Sequence, residues 1–198
     1  MNITQFIKYL NKTKKWNLQG QYYTYIDTWR DWWRGCYEPF HFVRESGLDG
    51  NIHKREMFKM GMPKRACEDW ASLLLNEKTT VTLQDSATSK WLIGEAEQQT
   101  GGELGRIDFW ANANALVELA FRSGTGAFVM GVDGLTVENG NAILSPSAKI
   151  YLDYDPAECI LPITVKHGKS IDVAFESEGI DGGNSCIYLQ THQLVNTN

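Results

Sequence analysis

Apolar residues recur at helical spacing in several parts of the first two thirds of the chain. Ile3, Phe6, Ile7 and Leu10 predict a short amphipathic helix, which the lysine-rich residues 12–15 end. A second helix has an aromatic face and Gly35 as its C-terminal cap. Its periodic positions are Tyr22, Tyr25, Ile26, Trp29, Trp32 and Trp33. A third long helix is predicted from Ile107 to Gly124. The pattern therefore places most of the helices before residue 125.

The stretch from Met62 to Leu83 predicts a helix followed by a strand. Pro63 has the fixed φ that suits a first helical turn, and the β-branched run Thr79 to Leu83 is typical of a short strand. The apolar positions of the helix are Ala66, Cys67, Trp70, Ala71, Leu73 and Leu74. We expect Trp70 and Leu74 to point into the core, because they lie on the side away from the charged residues.

The remaining segments have weaker patterns. Residues 36–61 predict an extended connector with a possible strand at Phe40 to Val43, and a short helix is predicted around Trp91. The glycines in the run Thr100-Gly101-Gly102 predict a flexible segment. These segments connect the predicted helices without indicating a site.

The period changes to two in the C-terminal third of the chain. Asn139-Gly140 is a strong signal for a two-residue hairpin, and a second turn is predicted at His167-Gly168. A last strand, Cys186 to Leu189, is expected to have a free outer edge. The predicted fold class is therefore α+β, with N-terminal helices followed by an antiparallel β meander.

Composition excludes several classes of protein. The chain has 198 residues, 42% hydrophobic and 22% charged, which is enough to bury a core. Its net charge of -5 argues against a general nucleic-acid coat. No apolar run long enough to span a membrane and no signal peptide is visible, so we expect synthesis in a cytoplasm and no membrane partner. The four widely separated cysteines are interpreted as free buried thiols.

Candidate catalytic and binding motifs all have plainer interpretations. Gly124-Thr125-Gly126 resembles a phosphate-binding loop, but a helix precedes it and a strand follows, the reverse of the required order. Asp153 and Asp155 would face the same side of a strand as paired carboxylates or metal ligands, although a solvated face before Pro156 is favoured. Ser123 lies outside a nucleophile elbow, and the four histidines are isolated. We therefore assign no catalytic, cofactor-binding or metal-binding residue and predict a protein that is not an enzyme.

The aromatic helix indicates a second possible class. Exposed Trp and Tyr rings stack on sugars or bases, as in a carbohydrate-binding or single-strand-binding module. The alternative is an anchor packed against a neighbouring subunit or the same chain, and helical spacing favours that anchor.

Four segments, taken in order, resemble the portal proteins of tailed phages with long non-contractile tails. They are the run A-S-L-L-L-N-E-K at residues 71–78, the helix from Ile107 to Gly124, the glycine-punctuated strand 126–132, and the proline-bounded segment 156–163. These segments have an order and a spacing similar to those of the family, and the resemblance extends along nearly the whole chain. Family members usually run to more than twice this length.

The resemblance implies a fold, a function and partners. It implies an N-terminal helical arm and connector at residues 1–61 and part of a wing domain at 62–198, without stem, clip or crown. The implied function is structural, as part of a dodecameric ring at one vertex of the virion head, encoded by a phage or prophage. Implied partners are other portal subunits, major capsid and scaffolding proteins, terminase, head-completion proteins and the double-stranded DNA passing through the ring. Without stem and crown, we expect the chain alone to be monomeric or irregularly self-associating.

Overall fold

The computed structural model describes residues 3–76, 79–95, 101–138, 141–167 and 169–193. The described residues form an α+β fold in which N-terminal helices precede antiparallel strands, as the sequence predicted. The α-helices of this part are α1 (Ile3–Thr13), α2 (Gly20–Arg34), α3 (Glu38–His41), α4 (Met62–Leu74), α5 (Ser86–Ile93), α6 (Gly102–Arg106) and α7 (Phe109–Ser123).

The described strands pair in three separate antiparallel sheets. They are β1 (Phe42–Ser46), β2 (Ile52–Glu56), β3 (Gly126–Glu138), β4 (Asn141–Pro156), β5 (Ile160–Lys166), β6 (Lys169–Asp181) and β7 (Asn184–His192). β1 pairs with β2, β3 pairs with β4, and the third sheet has the order β5-β6-β7. A short 3-10 helix, Ala157–Cys159, connects β4 to β5.

The main core lies where α1 and α2 meet the three-stranded sheet. The predicted apolar side of α1 is buried, and Asn11 fixes the following turn by exchanging two hydrogen bonds with the backbone of Leu18. Tyr23 and Ile26 of α2 complete the helical side of this core. The buried cluster is Phe6, Ile7, Leu10, Leu18, Tyr23, Ile26, Ala157, Leu161 and Ala174. Residues far apart in the chain therefore share one apolar interior.

Glycines end α2 and α7 as the sequence predicted. Gly35 has φ 67° and donates its N–H to the Trp32 carbonyl, and Gly124 has φ 80° and donates to Ala120. Both glycines have the left-handed backbone conformation, which a residue with a Cβ adopts only with strain. Because glycine has no Cβ, each donates a hydrogen bond to a carbonyl at the end of its helix with little strain.

The predicted strand from Thr79 to Leu83 is wrong. Residues 79–83 form neither helix nor strand, and residues 77 and 78 lie outside the described part of the chain. Thr79 instead donates its N–H to the carbonyl of Asn76 and its hydroxyl to that of Leu74. These bonds hold Thr79 against the end of α4, in a turn where the sequence predicted the start of a strand.

Residues 36–61 fold into a helical turn and a hairpin where the sequence predicted an extended connector. Pro39 lies in the first turn of α3, so the strand begins at Phe42, two residues later than predicted. Asp49 accepts a hydrogen bond from the N–H of Asn51 and tightens the turn to β2. α5 confirms the predicted helix around Trp91, with Asp85 as its N-cap. Gly102 begins α6, and Thr100 lies outside the described residues.

Both predicted hairpins are present as paired strands. Glu138 pairs with Asn141 across Asn139-Gly140, the predicted turn that lies outside the described residues. Lys166 pairs with Lys169 across the second turn, where His167 has φ 51° and Gly168 lies outside the described residues. β7 contains the predicted last strand and lies at one edge of its sheet.

Candidate protein interaction surface

The chain exposes far more surface than its mass predicts. Its accessible surface is 14411 Å². A compact monomer of 22.4 kDa exposes about 9,400 Å². The chain thus exposes about 5,000 Å² more than a compact monomer of its mass, and two of the three sheets in the described residues are two-stranded ribbons.

One side of α4 is apolar and unpartnered within the described chain. Trp70 is 56% exposed and Leu74 is 54% exposed, so the prediction that both point into the core is wrong. Leu73 is also exposed, and the Trp70 ring stacks on Phe121 of α7 with centroids 5.9 Å apart. We call Trp70, Leu73, Leu74 and Phe121 the α4 patch.

α4 packs on α7 through a narrower side than its periodicity predicted. Ala71 is fully buried, and Cys67 and Leu75 are half-buried. The Asn114 side chain of α7 donates hydrogen bonds to the carbonyls of Ala71 and Leu75, at 3.3 and 3.0 Å. α4 therefore packs on α7 through a narrow contact, and the larger apolar side chains beside that contact remain largely exposed.

The segment before α4 and the first residue of the helix add further exposed apolar side chains. They are Met57, Phe58, Met60 and, at the start of α4, Met62. Methionine side chains are flexible and adapt to partners of different shape, and they are common at binding surfaces. The α4 patch and these residues are thus two neighbouring parts of the chain that both expose large apolar side chains.

The outer half of the β3–β4 ribbon is a second exposed element, which we call the β arm (residues 133–138 and 141–149). The inner half of the ribbon lies along α7, where Phe128 contacts Phe109, and Arg106 at the end of α6 donates to the carbonyl of Ile150. Beyond a bulge between Asp133 and Leu135, the paired strands continue for about 13 Å. Leu135 and Leu144 are exposed and directly opposite each other in register.

The aromatic side of α2 is partly used inside the molecule. Trp32 stacks against Tyr37 and Phe40, and Trp33 lies beneath the cations of Lys64 and Arg122. Tyr25 and Trp29 remain exposed, with ring centroids 6.2 Å apart and nearly parallel planes. Tyr23 is the most deeply buried aromatic residue of α2, although it is not among the periodic aromatic positions that predicted this helix.

Asp153 and Asp155 line an open acidic cavity of about 460 Å³. Its other lining residues are Tyr154, Phe175, Glu176, Ser177 and Gln190. Burial, and then the Asp153 charge, raises the pKa of Asp155. Burial, and then Glu178, raises the pKa of Glu176. Among the described residues no group of three or more His, Cys, Asp or Glu side chains is arranged to hold a metal ion.

A buried ion pair connects α7 to the 3-10 helix. The Arg122 guanidinium contacts the Glu158 carboxylate. The Arg122 side chain is only 6% exposed. Arg122 Nε also donates to Ser123 Oγ at 2.8 Å, so the serine considered as a nucleophile is buried and serves this pair. A Cβ on Gly126 would lie 3.0 Å from Leu116, so this glycine allows β3 to approach α7 closely. In the glycine-rich run, Gly124 therefore ends α7 and Gly126 serves packing.

A small polar cavity of about 160 Å³ adjoins this ion pair. Tyr23, Ile26, Asp27, Arg30, Glu158 and Glu176 line it. Arg30 Nε, Glu158 Oε2 and Glu176 Oε2 are buried without a hydrogen-bond partner in the described part of the chain. The cavity has room for a few water molecules at about 30 Å³ each, and such waters would satisfy these three atoms.

The four cysteines are free thiols that are half-buried, less deeply than the sequence analysis expected. Burial raises the pKa of Cys159 to about 11. Burial also raises the pKa of Cys67. His41 is buried against Trp32. These side chains lie apart from a common site.

Comparison with known proteins identifies no relative: no family model, no curated protein and no solved structure matches the chain. Within the described residues, every helix is too short or too polar to cross a membrane.

Proposed function

We propose that this chain is a structural subunit of a tailed-phage portal vertex and corresponds to the first part of a portal wing domain. The sequence resemblance suggests this function, and two observations support it. The order of helices and antiparallel hairpins agrees with the fold that the resemblance implies. The helix of the most informative matched segment, α4, carries an exposed apolar patch.

The observation that carries the proposal is the exposed surface. A subunit of a ring contacts a neighbour on each side, so its isolated chain exposes two large surfaces that the ring buries. The exposed apolar residues of the α4 patch and of the β3–β4 ribbon, Leu135 and Leu144, are surfaces that such contacts would bury.

The proposed mechanism is geometric. The ring would supply symmetry, a passage for double-stranded DNA and docking surfaces for terminase, head-completion, scaffolding and capsid proteins. Nucleotide hydrolysis would belong to the terminase. The net charge of -5 suits a surface past which DNA slides without being held.

Purified virions from the encoding bacterium provide the test. We expect peptides of this chain in tailed particles, and we expect gold-labelled antibody against it at a single vertex. Antibody against the major capsid protein, which labels the whole shell, is the matched control. Particles that lack the chain, or label spread over the shell, would contradict the proposal.

The second candidate is a non-catalytic carbohydrate-binding or single-strand-binding module. The exposed, nearly parallel rings of Tyr25 and Trp29 favour it, because such a pair forms a stacking platform. Arg30, which follows Trp29 in the chain, is ion-paired with Asp27 at 2.7 Å and so is not a free cation for a phosphate.

A further inference from the structure

We propose that the outer edge of β7 accepts an extended segment of another protein as an additional strand, and that a Lys or Arg side chain of that segment enters the acidic cavity beside the edge. Such a contact combines backbone hydrogen bonds with charge pairing. It does not depend on the portal function, because it uses neither the α4 patch nor the β arm.

The outer edge of β7 lacks the features by which folded proteins prevent strand addition. Those features are proline, bulges and charged side chains. β7 contains no proline, Lys, Arg, Asp or Glu, and it pairs with β6 from Asn184 to His192 without a register shift. Most of its residues are exposed, and in the described part of the chain no strand pairs with its outer edge. β7 therefore presents a regular row of unpaired backbone groups.

The opposite edge of the same sheet is protected. β5 contains Pro162, which has no N–H to donate, and its pairing with β6 shifts register on both sides of Thr164. It ends in the charged residue Lys166. Since one edge has these features and the other has none, β7 is the edge suited to an added strand.

The turn between β6 and β7 determines which backbone groups of β7 are available. Asp181 pairs with Asn184 across Gly182 and Gly183, whose positive φ values of 55° and 84° are those of a two-residue hairpin turn. Such a turn is closed by a hydrogen-bonded pair, and bonded and non-bonded positions then alternate along the strand. Every second residue of β7 therefore directs its N–H and C=O away from β6. These residues are Ser185, Ile187, Leu189 and Thr191.

The acidic cavity of about 460 Å³ reaches this edge strand. Phe175 and Gln190 both line it and lie opposite each other in register, and Gln190 belongs to β7 itself. Asp153, Asp155 and Glu176 contribute three carboxyl groups to the lining. A long side chain on a strand beside β7 could therefore pass Gln190 and reach these carboxyl groups.

The cavity lacks a cation of its own. Among the described residues no Lys or Arg lines it, and none forms an ion pair with Asp153, Asp155 or Glu176. Burial, and then a neighbouring carboxylate, raises the pKa of Asp155 and that of Glu176. A guanidinium or ammonium group in the cavity would offset the repulsion, and the Phe175 ring offers it an aromatic wall.

Charge favours a basic segment of another protein over other occupants of the edge. A second copy of β7 could pair with this strand, but it would bring no Lys or Arg and would leave the carboxyl groups of the cavity unpaired. A small free cation would neutralise the cavity and leave the outward backbone groups of β7 in water. A basic strand satisfies both, and the net charge of -5 attracts such a partner.

Synthetic peptides of the same length as β7, 9 residues, test the proposal. Each peptide alternates threonine with valine and carries a single arginine, which is moved through all positions, so that one peptide places the cation at the cavity whatever the register. Fluorescence polarisation measures binding of the labelled peptides to the full chain. We expect saturable binding for at least one arginine position, and at least about tenfold weaker binding when citrulline, which is neutral and of similar shape, replaces that arginine.

Variants of the chain test the role of the cavity. Asp153→Asn combined with Asp155→Asn should weaken binding of the best peptide at least about tenfold, because it removes two carboxylates and keeps their shape. Asp133→Asn combined with Glu138→Gln removes the same charge from exposed positions of β3 and should bind as wild type. Circular dichroism checks that the variants fold, and the single substitutions replace a pair that does not.

Amide hydrogen exchange followed by NMR tests strand addition itself. Saturating peptide should slow exchange at the outward amides of β7 at least about tenfold, and leave the amides that already bond to β6 unchanged. The outward amides are those of Ser185, Ile187, Leu189 and Thr191. The same peptide with N-methyl groups on its amides has no donors at either edge and should not bind.

Four results would overturn the inference. The first two are no saturable binding by any arginine peptide up to about 1 mM, and equal binding of the arginine and citrulline peptides. The third is binding that leaves exchange at the outward amides of β7 unchanged, which would assign the peptide to another surface. The fourth is slower exchange at these amides in the chain alone as its concentration rises, which would mean that a second copy occupies the edge.

Discussion

The hydroxyl of Tyr23 donates a 2.8 Å hydrogen bond to the carbonyl of Ile160, 137 residues further along the chain. Burial raises the pKa of Tyr23, so the hydroxyl keeps its proton and remains a donor. The bond attaches α2 to the first residue of β5, where the helical and strand parts of the core meet.

Tyr23→Phe should therefore reduce the free energy of unfolding by about 0.5–1.5 kcal/mol, because it removes this bond and keeps the ring. Chemical denaturation followed by circular dichroism measures the change. Tyr9→Phe, at an exposed tyrosine of α1, is the matched control and should be silent. Equal effects of the two substitutions would mean that the hydrogen bond contributes nothing.

Trp70→Ala should cost less than about 1.5 kcal/mol of unfolding free energy, since much of the side chain is already in water. Ile26→Ala, at a fully buried position of α2, should cost about 2–5 kcal/mol. Lys64→Ala, which removes an exposed pair with Glu68, should cost at most about 1 kcal/mol. Denaturation at a concentration where the chain is monomeric gives all three values, and a larger loss for Trp70 than for Ile26 would contradict the exposed position.

The position of Trp70 shows what the sequence could and could not predict. Helical periodicity and glycine caps identified α2, α4 and α7, because these signals are local. Periodicity also identified which side of α4 is apolar. It does not tell whether the partner of that side is the same chain or another molecule, so Trp70 and Leu74 were wrongly assigned to the core.

The two hairpins, which were predicted correctly, and the strand at Thr79 to Leu83, which was predicted wrongly, also show what the sequence can and cannot predict. The hairpin strands beside Asn139-Gly140 and His167-Gly168 were predictable, because each turn sets the pairing of its neighbours. Thr79 to Leu83 has β-branched composition, but its sequence neighbours include no two-residue hairpin signal such as Asn-Gly. The ion pair of Arg122 with Glu158 was not predictable, since it depends on how α7 meets the 3-10 helix.

Arg122→Met should destabilise the fold by about 3 kcal/mol, because it leaves the Glu158 carboxylate unpaired in a largely buried site. Adding Glu158→Leu to this variant should recover most of the loss. Arg44→Met, at an exposed pair with Glu38, is the matched control and should change stability by at most about 1 kcal/mol. If the double variant were as unstable as the single one, packing of the arginine stem would be the main contribution, and the ion pair a minor one.

Glu176 should make the stability of the fold depend on pH. Burial raises its pKa above the ordinary value of 4.5, so the folded state binds a proton more tightly than the unfolded state. Stability from this group is therefore full below pH 4.5 and falls as the pH rises through the folded-state pKa. Glu176→Gln should remove this loss and be more stable than wild type at neutral pH, with the difference shrinking in acid.

Denaturation midpoints between pH 4 and pH 8 measure this dependence, with Glu138→Gln at the exposed end of β3 as control. A parallel pH dependence in wild type and Glu176→Gln would show that Glu176 does not cause it.

Oligosaccharides and single-stranded DNA should leave the tryptophan emission of the chain unchanged. Of the aromatic side chains on α2, Trp32 and Trp33 are engaged by neighbours, and only the pair of Tyr25 and Trp29 is free to stack on a ligand. Phosphate contacts supply most of the affinity for nucleic acid, and Arg30, the residue after Trp29, is already paired with Asp27. Tryptophan emission is measured in a fluorescence titration with a mixed set of oligosaccharides and with a single-stranded oligonucleotide.

Saturable quenching that is lost in Trp29→Ala and kept in Trp91→Ala, an exposed tryptophan on α5, would establish the binding module in place of the portal subunit.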